Sequence, residues 1–145
     1  MADAKKNKEV VMRFYNDVFI QHDLNHLDGV MRDDYIQHNQ DCPQGKAGFV
    51  TFFTEIFAAV PDFKYVLKKM VAEGDIVMAY SATTGTHSGG KWFGKKATGN
   101  KLNFDVVDIF RMQDGLIAEH WDVADTFSLF SQVGVVEERL KDWKK

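Results

Sequence analysis

The hydrophobic periodicity of the chain changes once, near Pro61, and this change limits the possible folds more than any other feature. Before it, apolar residues recur at helical spacing and predict an amphipathic helix over residues 49–60. After it come four runs rich in β-branched and aromatic residues, which are typical of strands: Phe63–Ala72, Ile76–His87, Lys101–Met112 and Leu116–Val123. Helices followed by a meander of strands predict an α+β fold with helices on one face of an antiparallel sheet.

The other segments are predicted to be helical. Residues 6–21 show helical spacing, and Asp23–Arg32 is expected to form a second short helix with Asp23 as its N-cap. Thr126–Val133 is predicted as a short helix, and Glu137–Lys145 as a polar amphipathic tail. No repeat, linker or low-complexity tract divides the sequence, so we expect one domain over residues 1–145.

The composition argues against several classes of protein. The formal net charge is −3, whereas nucleic-acid-binding surfaces carry a basic excess. No apolar stretch approaches the roughly 20 residues that cross a bilayer, and no secretory signal is visible at the N-terminus. The single cysteine, Cys42, suits a reducing compartment. We therefore expect a cytoplasmic protein that binds neither nucleic acid nor membrane.

The hairpin formed by the last two strands carries the most informative polar residues. With Gln113-Asp114-Gly115 as a three-residue loop, Met112 pairs with Leu116 and Asp108 lies opposite His120. Because side chains alternate along a strand, one face of this hairpin collects both apolar and acidic residues. That face comprises Phe104, Val106, Asp108, Phe110, Ala118, His120 and Asp122. A two-residue Asp-Gly turn would shift the register by one residue and break this grouping.

An Asp–His–Asp cluster among phenylalanines has two interpretations. Burial and a like-charged neighbour raise the pKa of a carboxylate above its usual value of about 3.9, which makes it a proton acceptor near neutral pH. Asp122 would then be a general base, with His120 and Asp108 beside it. Alternatively, Asp108 and His120 form a structural ion pair and Asp122 is exposed, since ion-pair networks also perturb pKa values.

Other polar residues compete for a place in the same site. Asp125 lies at the expected start of a helix, where an N-cap aspartate is common, and it reaches a pocket only if the preceding strand continues. His38 and Asn39 both offer hydrogen-bond donors to a ligand oxygen, and the nearby Tyr35 indicates that His38 is partly buried. A capping or loop-fixing role suits Asn39 equally well.

Two further signals point to weaker hypotheses. The glycine-rich segment 89–96 approaches a phosphate-binding loop, but it lacks the following Ser or Thr and the helix that such a loop needs. We interpret it as a turn in which Trp92 and Phe93 close a pocket or pack at a subunit contact. A metal site built from His38, His120 and a carboxylate is geometrically possible, but no metal motif is present, so we expect neither metal nor cofactor.

An ordered set of motifs resembles one protein family. The motifs are Tyr35-Ile36-Gln37-His38-Asn39, Gly45-x-x-Gly48-Phe49, Gly85-Thr86-His87, Gly94-x-x-Ala97-Thr98-Gly99-Asn100, Asp108-Ile109-Phe110-Arg111 and Asp114-Gly115-x-Ile117-x-Glu119-His120-Trp121. Together they cover the chain from about Val10 to Val135. In this order they are similar to the SnoaL-like polyketide cyclases and predicted ester cyclases.

The resemblance implies the nuclear-transport-factor-2-like cone, in which a strongly curved sheet wraps around a long helix and encloses an apolar pocket. It also implies a cofactor-free intramolecular aldol condensation: a carboxylate removes a proton between carbonyls, and hydrogen-bond donors hold the enolate. The family's catalytic aspartate corresponds to Asp122, and a partner on the preceding strand corresponds to Asp108, where relatives can carry histidine. Since an anionic Asp108 stabilises an enolate poorly, either His120 takes the donor role or the chemistry differs.

We therefore expect a small cyclase-type enzyme acting on an apolar or polyketide-like molecule. Its catalytic residues are expected to be Asp122, His120, Asp108 and His38, and its pocket residues Asn39, Tyr35, Trp92, Phe104, Phe110 and Asp125. The alternatives are a non-catalytic binding or adaptor module, and a cofactor-free isomerase or epoxide hydrolase on the same fold. The hydrolase needs an arginine between two pocket carboxylates, whereas Arg111 lies on the opposite strand face in this register.

The resemblance also implies a homodimer that meets through the outer face of the sheet. Val107, Ile109, Ile117 and Trp121 share that face in the predicted register. A monomer rarely leaves so large an apolar patch exposed.

Overall fold

The computed structural model describes residues 3–143, and the side chains of residues 3–141, and it confirms the predicted α+β class. The helical segments are α1 (Ala4–Phe14), its π-helical continuation (Tyr15–Ile20), a 3₁₀ turn (Leu27–Gly29), α2 (Gly45–Ala59), α3 (Thr126–Val133) and α4 (Val136–Trp143). The strands are β1 (Met31–Gln37), β2 (Lys64–Glu73), β3 (Ile76–Thr86), β4 (Lys101–Gln113) and β5 (Leu116–Ala124). The last two residues of the predicted tail, 144 and 145, lie outside the described residues. No helix within residues 3–143 is long and apolar enough to cross a membrane.

The five strands form one mixed sheet in the order β1-β5-β4-β3-β2. The four predicted strands pair antiparallel as expected, but β1 adds a parallel strand beside β5. The helix predicted over Asp23–Arg32 is therefore wrong except for the single 3₁₀ turn. Pairing with β5 satisfies backbone groups of this segment: Ile117 N–H donates to Val30 O at 2.7 Å, and His38 N–H donates to His120 O at 3.0 Å. Tertiary pairing thus outweighs the local helical spacing.

Aromatic rings fill the space between the helices and the inner face of the sheet. Phe14 of α1 packs against Phe19, Phe49 and Phe110, with ring centroids 5.1, 5.7 and 5.8 Å apart. Fully burying one such side chain contributes about 1.5–3 kcal/mol to folding. The apolar stripes predicted over residues 6–21 and 49–60 therefore form the core that holds the helices against the sheet.

The β4–β5 hairpin turns in two residues, not three. Asp114 and Gly115 have φ of +54° and +76°, and Gln113 pairs directly with Leu116. These positive φ values match the two-residue turn that fits the twist of a β-hairpin and favours Asp-Gly. The predicted three-residue loop is therefore wrong, and in a regular hairpin this turn would place Asp122 on the outer face.

A β-bulge at Ala118 cancels that shift. Ile117 still follows the register of the turn and pairs with Met112, after which Ala118 is an extra residue in β5. The pairs beyond the bulge are Arg111–Glu119, Phe110–His120 and Asp108–Asp122. The predicted partners are thus displaced by two residues, but the predicted inner face is retained. Ile117 is buried, so it does not belong to the outer face proposed for a dimer.

We expect Gly115→Ala to lower the free energy of unfolding by about 1–2 kcal/mol, because a side chain at a left-handed φ is strained. Urea denaturation followed by circular dichroism measures this change. The matched control is Asp114→Asn, since asparagine tolerates the same conformation and loses only the exposed ion pair with Arg32, which costs less than about 1 kcal/mol. Equal losses in both variants would contradict this account of the turn.

Candidate active site

A cavity of about 420 Å³ lies between the inner face of the sheet and the helices. Most of its wall is apolar, with phenylalanines from α1, α2 and β4 among other segments. Its polar residues come from β1 and the loop after it, from β4 and β5, and from the start of α3: Tyr35, Gln37, His38, Asn39, Gln40, Asp41, Asp108, His120, Asp122 and Thr126. The other predicted pocket residues that line it are Trp92, Phe104 and Phe110. The structure therefore brings the predicted Asp–His–Asp cluster into an apolar cavity.

Asp108 and His120 form a buried, fully hydrogen-bonded pair. Asp108 is only 3% exposed; its Oδ1 lies 2.8 Å from His120 Nε2, and its Oδ2 accepts a hydrogen bond from the Tyr15 hydroxyl. The other ring nitrogen of His120, Nδ1, lies 2.7 Å from Gln37 Oε1. Both carboxylate oxygens and both imidazole nitrogens are thus engaged, which offsets the cost of burying them.

The hydrogen-bond pattern around Gln37 determines where the protons of this pair lie. The backbone N–H of Asn39 donates to Gln37 Oε1 at 3.0 Å, which identifies that atom as the amide oxygen. His120 Nδ1 therefore donates to Gln37 and carries a hydrogen. The contact between His120 Nε2 and Asp108 Oδ1 then needs one further proton, shared by the two groups. The pair as a whole is consequently neutral.

Asp122 is a second carboxylate of the cluster, with an environment unlike that of Asp108. It lies half-buried in the cavity wall, and its Oδ2 accepts a hydrogen bond from Asn39 Nδ2 at 2.7 Å. Burial raises the pKa of Asp122, and so do the nearby Asp108 and Asp41, whereas the hydrogen bond from Asn39 and the charge of His120 lower it. Burial dominates, so the pKa of Asp122 lies above its usual range.

Cys42 also lines the cavity, but its thiol is not ionised at neutral pH. Burial raises the pKa of its thiol to about 11, so the sulfur remains protonated at neutral pH. Its Sγ donates a weak hydrogen bond to Pro43 O at 3.6 Å.

The structure does not bring the His38 side chain to the cluster. Its ring stacks on Trp121 at 4.7 Å between centroids, and its Nε2 lies 2.7 Å from Glu119 Oε1. Glu119 in turn pairs with Arg111 at 2.7 Å. Strand alternation explains the correction: Gln37 points inward, so the next side chain points to the outer face.

Asp125 caps α3 and does not line the cavity. Its carboxylate accepts hydrogen bonds from the backbone N–H of Ser128 at 3.1 Å and from the Ser128 hydroxyl at 2.6 Å. These bonds lower the pKa of Asp125. The N-cap interpretation is confirmed, and the inclusion of Asp125 among the pocket residues is corrected.

Sequence reasoning missed Gln37 and Tyr15. Tyr35, Gln37 and Asn39 alternate along one extended segment and all line the cavity. A strand assignment for residues 31–37 would have revealed this inward row through its period of two. Tyr15 belongs to the apolar stripe of the first helix, where spacing does not distinguish a hydrogen-bonding phenol from a core ring.

A single side chain of α4 joins three parts of the cavity wall. Arg139 Nη2 lies 3.0 Å from Asp41 Oδ1, and its guanidinium carbon lies 4.9 and 4.7 Å from the ring centroids of Phe93 and Phe130. These three residues line the cavity and come from the β1–α2 loop, the β3–β4 loop and α3. The cation–π and ion-pair contacts therefore hold the wall segments together.

Asp108, His120 and Asp122 are also a possible set of metal ligands. One ligand atom from each lies within 4.8 Å of the others, a grouping that suits a divalent cation. The ring of His38, placed in such a set by the sequence, contacts Trp121 and Glu119 instead of this group, although the residue also lines the cavity. A cation would have to replace the existing contact between His120 and Asp108. The hydrogen-bonded arrangement needs no such replacement.

Comparison with known proteins identifies the family. The family model described as SnoaL-like polyketide cyclase matches residues 9–133, and no curated protein matches the chain. Among solved structures, TsrD from Streptomyces laurentii is 27% identical with a TM-score of 0.83, covering 94% of this chain and 100% of that chain. AclR from Streptomyces galilaeus is 25% identical with a TM-score of 0.81, covering 92% of this chain and 99% of that chain. IdmH from Streptomyces antibioticus is also 25% identical, with a TM-score of 0.73, covering 89% of this chain and 99% of that chain. Because the family match spans most of the sequence and the fold agrees over nearly all of it, this chain belongs to the SnoaL-like polyketide cyclase family.

Proposed function

We propose that this protein is a cofactor-independent cyclase in which Asp122 is the general base. It removes an acidic proton from a carbon between two carbonyls, and the resulting enolate attacks a second carbonyl of the same molecule to close a ring. The observation that carries this proposal is the half-buried Asp122 carboxylate, which a single amide holds at Oδ2 inside an aromatic cavity. Its Oδ1 has no hydrogen-bond partner among residues 3–141, so that oxygen is free to accept a proton.

The cavity supports an apolar, flat substrate. Its walls are mostly apolar and offer ring faces for stacking, so that a bound apolar molecule would displace water from it. Exclusion of water also strengthens the carboxylate as a base, because the charged form is poorly solvated. A polyketide-like molecule with several carbonyls on a largely apolar frame fits both features.

The arrangement does not support the epoxide hydrolase considered above. That chemistry needs an arginine between two carboxylates of the pocket. Arg111 instead lies on the outer face, where its Nε is 2.7 Å from Glu119 Oε2. In the cavity Asp108 is paired with His120 and Asp122 with Asn39, so neither carboxylate has an arginine partner there.

We also propose that the protein forms a homodimer through the outer face of the sheet. Val107, Ile109 and Trp121 are partly exposed there, and Val123 is 67% exposed. These residues lie on the neighbouring strands β4 and β5 and form one apolar surface. A second copy of the same chain covers such a surface in an isologous contact, in which each residue meets the same patch of its partner.

The catalytic proposal predicts different effects of two asparagine substitutions. Asp122→Asn should slow deuterium exchange at C2 of ethyl benzoylacetate about 10²–10⁴-fold, because it removes the proton acceptor. Asp125→Asn is the matched control and should keep the wild-type rate, since asparagine caps a helix as well as aspartate does. Proton NMR measures exchange above the buffer rate, with and without EDTA, and we expect EDTA to have no effect.

Two results of this experiment would contradict the proposal. If Asp122→Asn exchanges C2 deuterium at the wild-type rate, Asp122 is not the general base. Binding of the probe in the cavity without exchange above the buffer rate would favour the non-catalytic binding module.

The raised pKa of Asp122 also predicts a pH-dependent change in stability. A carboxyl whose pKa is raised by folding stabilises the native state only at low pH, and this contribution is lost as the pH rises through the native pKa. Asp122→Asn should therefore be as stable as the wild type near pH 3 and more stable at pH 7. The opposite sign is expected for Asp125→Asn, because folding lowers the pKa of Asp125. Urea denaturation at both pH values tests this, and a loss of stability at pH 7 in Asp122→Asn would show that its burial is not costly.

The dimer proposal predicts twice the monomer mass of 16.6 kDa in light scattering at micromolar concentration. Val123→Glu and Ile109→Lys should each shift the mass towards the monomer, because a buried unpaired charge weakens the contact. Met12→Glu, a substitution at an exposed position of α1 on the other side of the sheet, is the control and should leave the dimer intact. A wild-type monomer would refute the proposal.

A further inference from the structure

His120 has no hydrogen-bonding capacity left for a substrate oxygen. Its Nδ1 donates to Gln37 Oε1 at 2.7 Å, and its Nε2 shares a proton with Asp108 Oδ1 at 2.8 Å. The second oxygen of Asp108 already accepts from Tyr15. An enolate formed in an apolar cavity nevertheless needs a preorganised donor for its oxygen. The donor role that the sequence assigned to His120 must therefore belong to another group.

Tyr35 carries a hydroxyl hydrogen that has no acceptor among residues 3–141. Its oxygen accepts a hydrogen bond from Gln37 Nε2 at 2.7 Å. The amide cannot be reversed, because its oxygen receives the N–H groups of His120 and Asn39. Tyr35 is thus the acceptor in this contact, and its own hydrogen points elsewhere. The side chain is 4% exposed and lines the cavity, where an unpaired hydroxyl hydrogen is costly until a ligand oxygen accepts it.

We infer that the Tyr35 hydroxyl donates a hydrogen bond to the carbonyl oxygen that becomes the enolate oxygen when Asp122 removes the adjacent proton. This inference rests on the proposed function of Asp122. Tyr35 touches the substrate and is a catalytic residue in this scheme, whereas Gln37 is a positioning residue that acts through it. The scheme selects a neutral 1,3-dicarbonyl unit, since one carbonyl oxygen and the neighbouring acidic carbon must face Tyr35 and Asp122 together.

The connection through Gln37 strengthens Tyr35 as a donor. In a chain of hydrogen bonds each donor polarises the next. The N–H of His120 draws electron density from the Gln37 oxygen, which makes the amide Nε2–H a better donor and, in turn, the Tyr35 hydroxyl more polar. Burial raises the pKa of Tyr35, as do the neighbouring Cys42, Asp108 and Asp122, so the hydroxyl keeps its hydrogen at neutral pH.

One extended segment positions both the donor and the base. Tyr35, Gln37 and Asn39 alternate along the inner side of this segment. Asn39 Nδ2 holds Asp122 Oδ2 at 2.7 Å, and the Asn39 backbone N–H holds the Gln37 oxygen at 3.0 Å. The relative placement of donor and base is therefore set by one short piece of backbone.

The first test measures binding of an enolate mimic, 4-nitro-1-naphtholate, whose ionised form absorbs visible light. Asp122→Asn serves as the background, because it resembles the neutral base after proton removal. In this background Tyr35→Phe should weaken binding about 10- to 100-fold, as expected for loss of one hydrogen bond to a charged oxygen. Tyr80→Phe is the matched control and should not change the affinity, since Tyr80 donates to Asp105 on the outer face.

The second test separates a hydrogen-bonding role from a structural one. Gln37→Glu keeps the oxygen that accepts from His120 but replaces the Nε2 donor with an acceptor, which captures the Tyr35 hydrogen. We expect this variant to bind 4-nitro-1-naphtholate as weakly as Tyr35→Phe does, while ¹⁵N NMR still shows a hydrogen on His120 Nδ1. Because Gln37→Glu also adds a negative charge near the anionic probe, the deciding measurement if Tyr35→Phe fails to fold is proton NMR of the naphtholate complex in the Asp122→Asn background. The Tyr35 hydroxyl proton should shift downfield on binding, and an unshifted proton would overturn the inference.

The outcomes distinguish this inference from the proposed function. If Asp122→Asn, without a second change, keeps the C2 exchange rate, the proposed function fails whatever Tyr35 does. If Asp122→Asn loses exchange but Tyr35→Phe exchanges and binds 4-nitro-1-naphtholate like its parent, the inference is overturned. The inference is also overturned if Tyr65→Phe weakens binding of 4-nitro-1-naphtholate and Tyr35→Phe does not, because Tyr65 is the other tyrosine that lines the cavity.

Discussion

The amide of Gln37 is the contact on which the rest of the site depends. Its oxygen receives hydrogen bonds from His120 of β5 and from the backbone of Asn39, and its nitrogen donates to Tyr35. The amide holds His120, which contacts Asp108, and it holds the backbone of Asn39, whose side chain contacts Asp122. This contact exists only because β1 lies parallel to β5 at the sheet edge, with Gln37 paired to His120. The arrangement of acids and donors is thus a consequence of strand pairing.

The cluster is tolerated inside an aromatic core because its polar atoms are satisfied. Burying an unpaired carboxylate or imidazole is costly, and Asp108 and His120 avoid that cost with hydrogen bonds at every acceptor and donor position. Asp122 is the exception, since Asn39 engages only Oδ2. The unsatisfied oxygen faces the same cavity as the aromatic rings. A carboxylate that is buried with one oxygen unpaired is a candidate for binding or catalysis, which is the role proposed for Asp122.

The cavity walls come from segments that are far apart in the sequence. The Phe14 ring of α1, the Phe49 ring of α2 and the Phe110 ring of β4 meet in the core beside it. Arg139 of α4 joins the wall at Asp41, Phe93 and Phe130. In this member of the SnoaL-like polyketide cyclase family, these walls enclose an apolar chamber that holds Asp108, His120 and Asp122. The chemistry proposed for it requires no element beyond the chain's own side chains.

The amino-acid sequence by itself determined the α+β class, the four antiparallel strands and the aromatic core, because these follow from periodicity along each element. It also determined the N-cap role of Asp125, a strictly local interaction. The tertiary structure decided what depends on pairing between distant segments. Residues 31–37 became a strand because β5 had an unpaired edge, which turned His38 outward and Gln37 inward. Likewise, the bulge at Ala118 offset the two-residue turn, since only the packed inner face selects which register of β5 is buried.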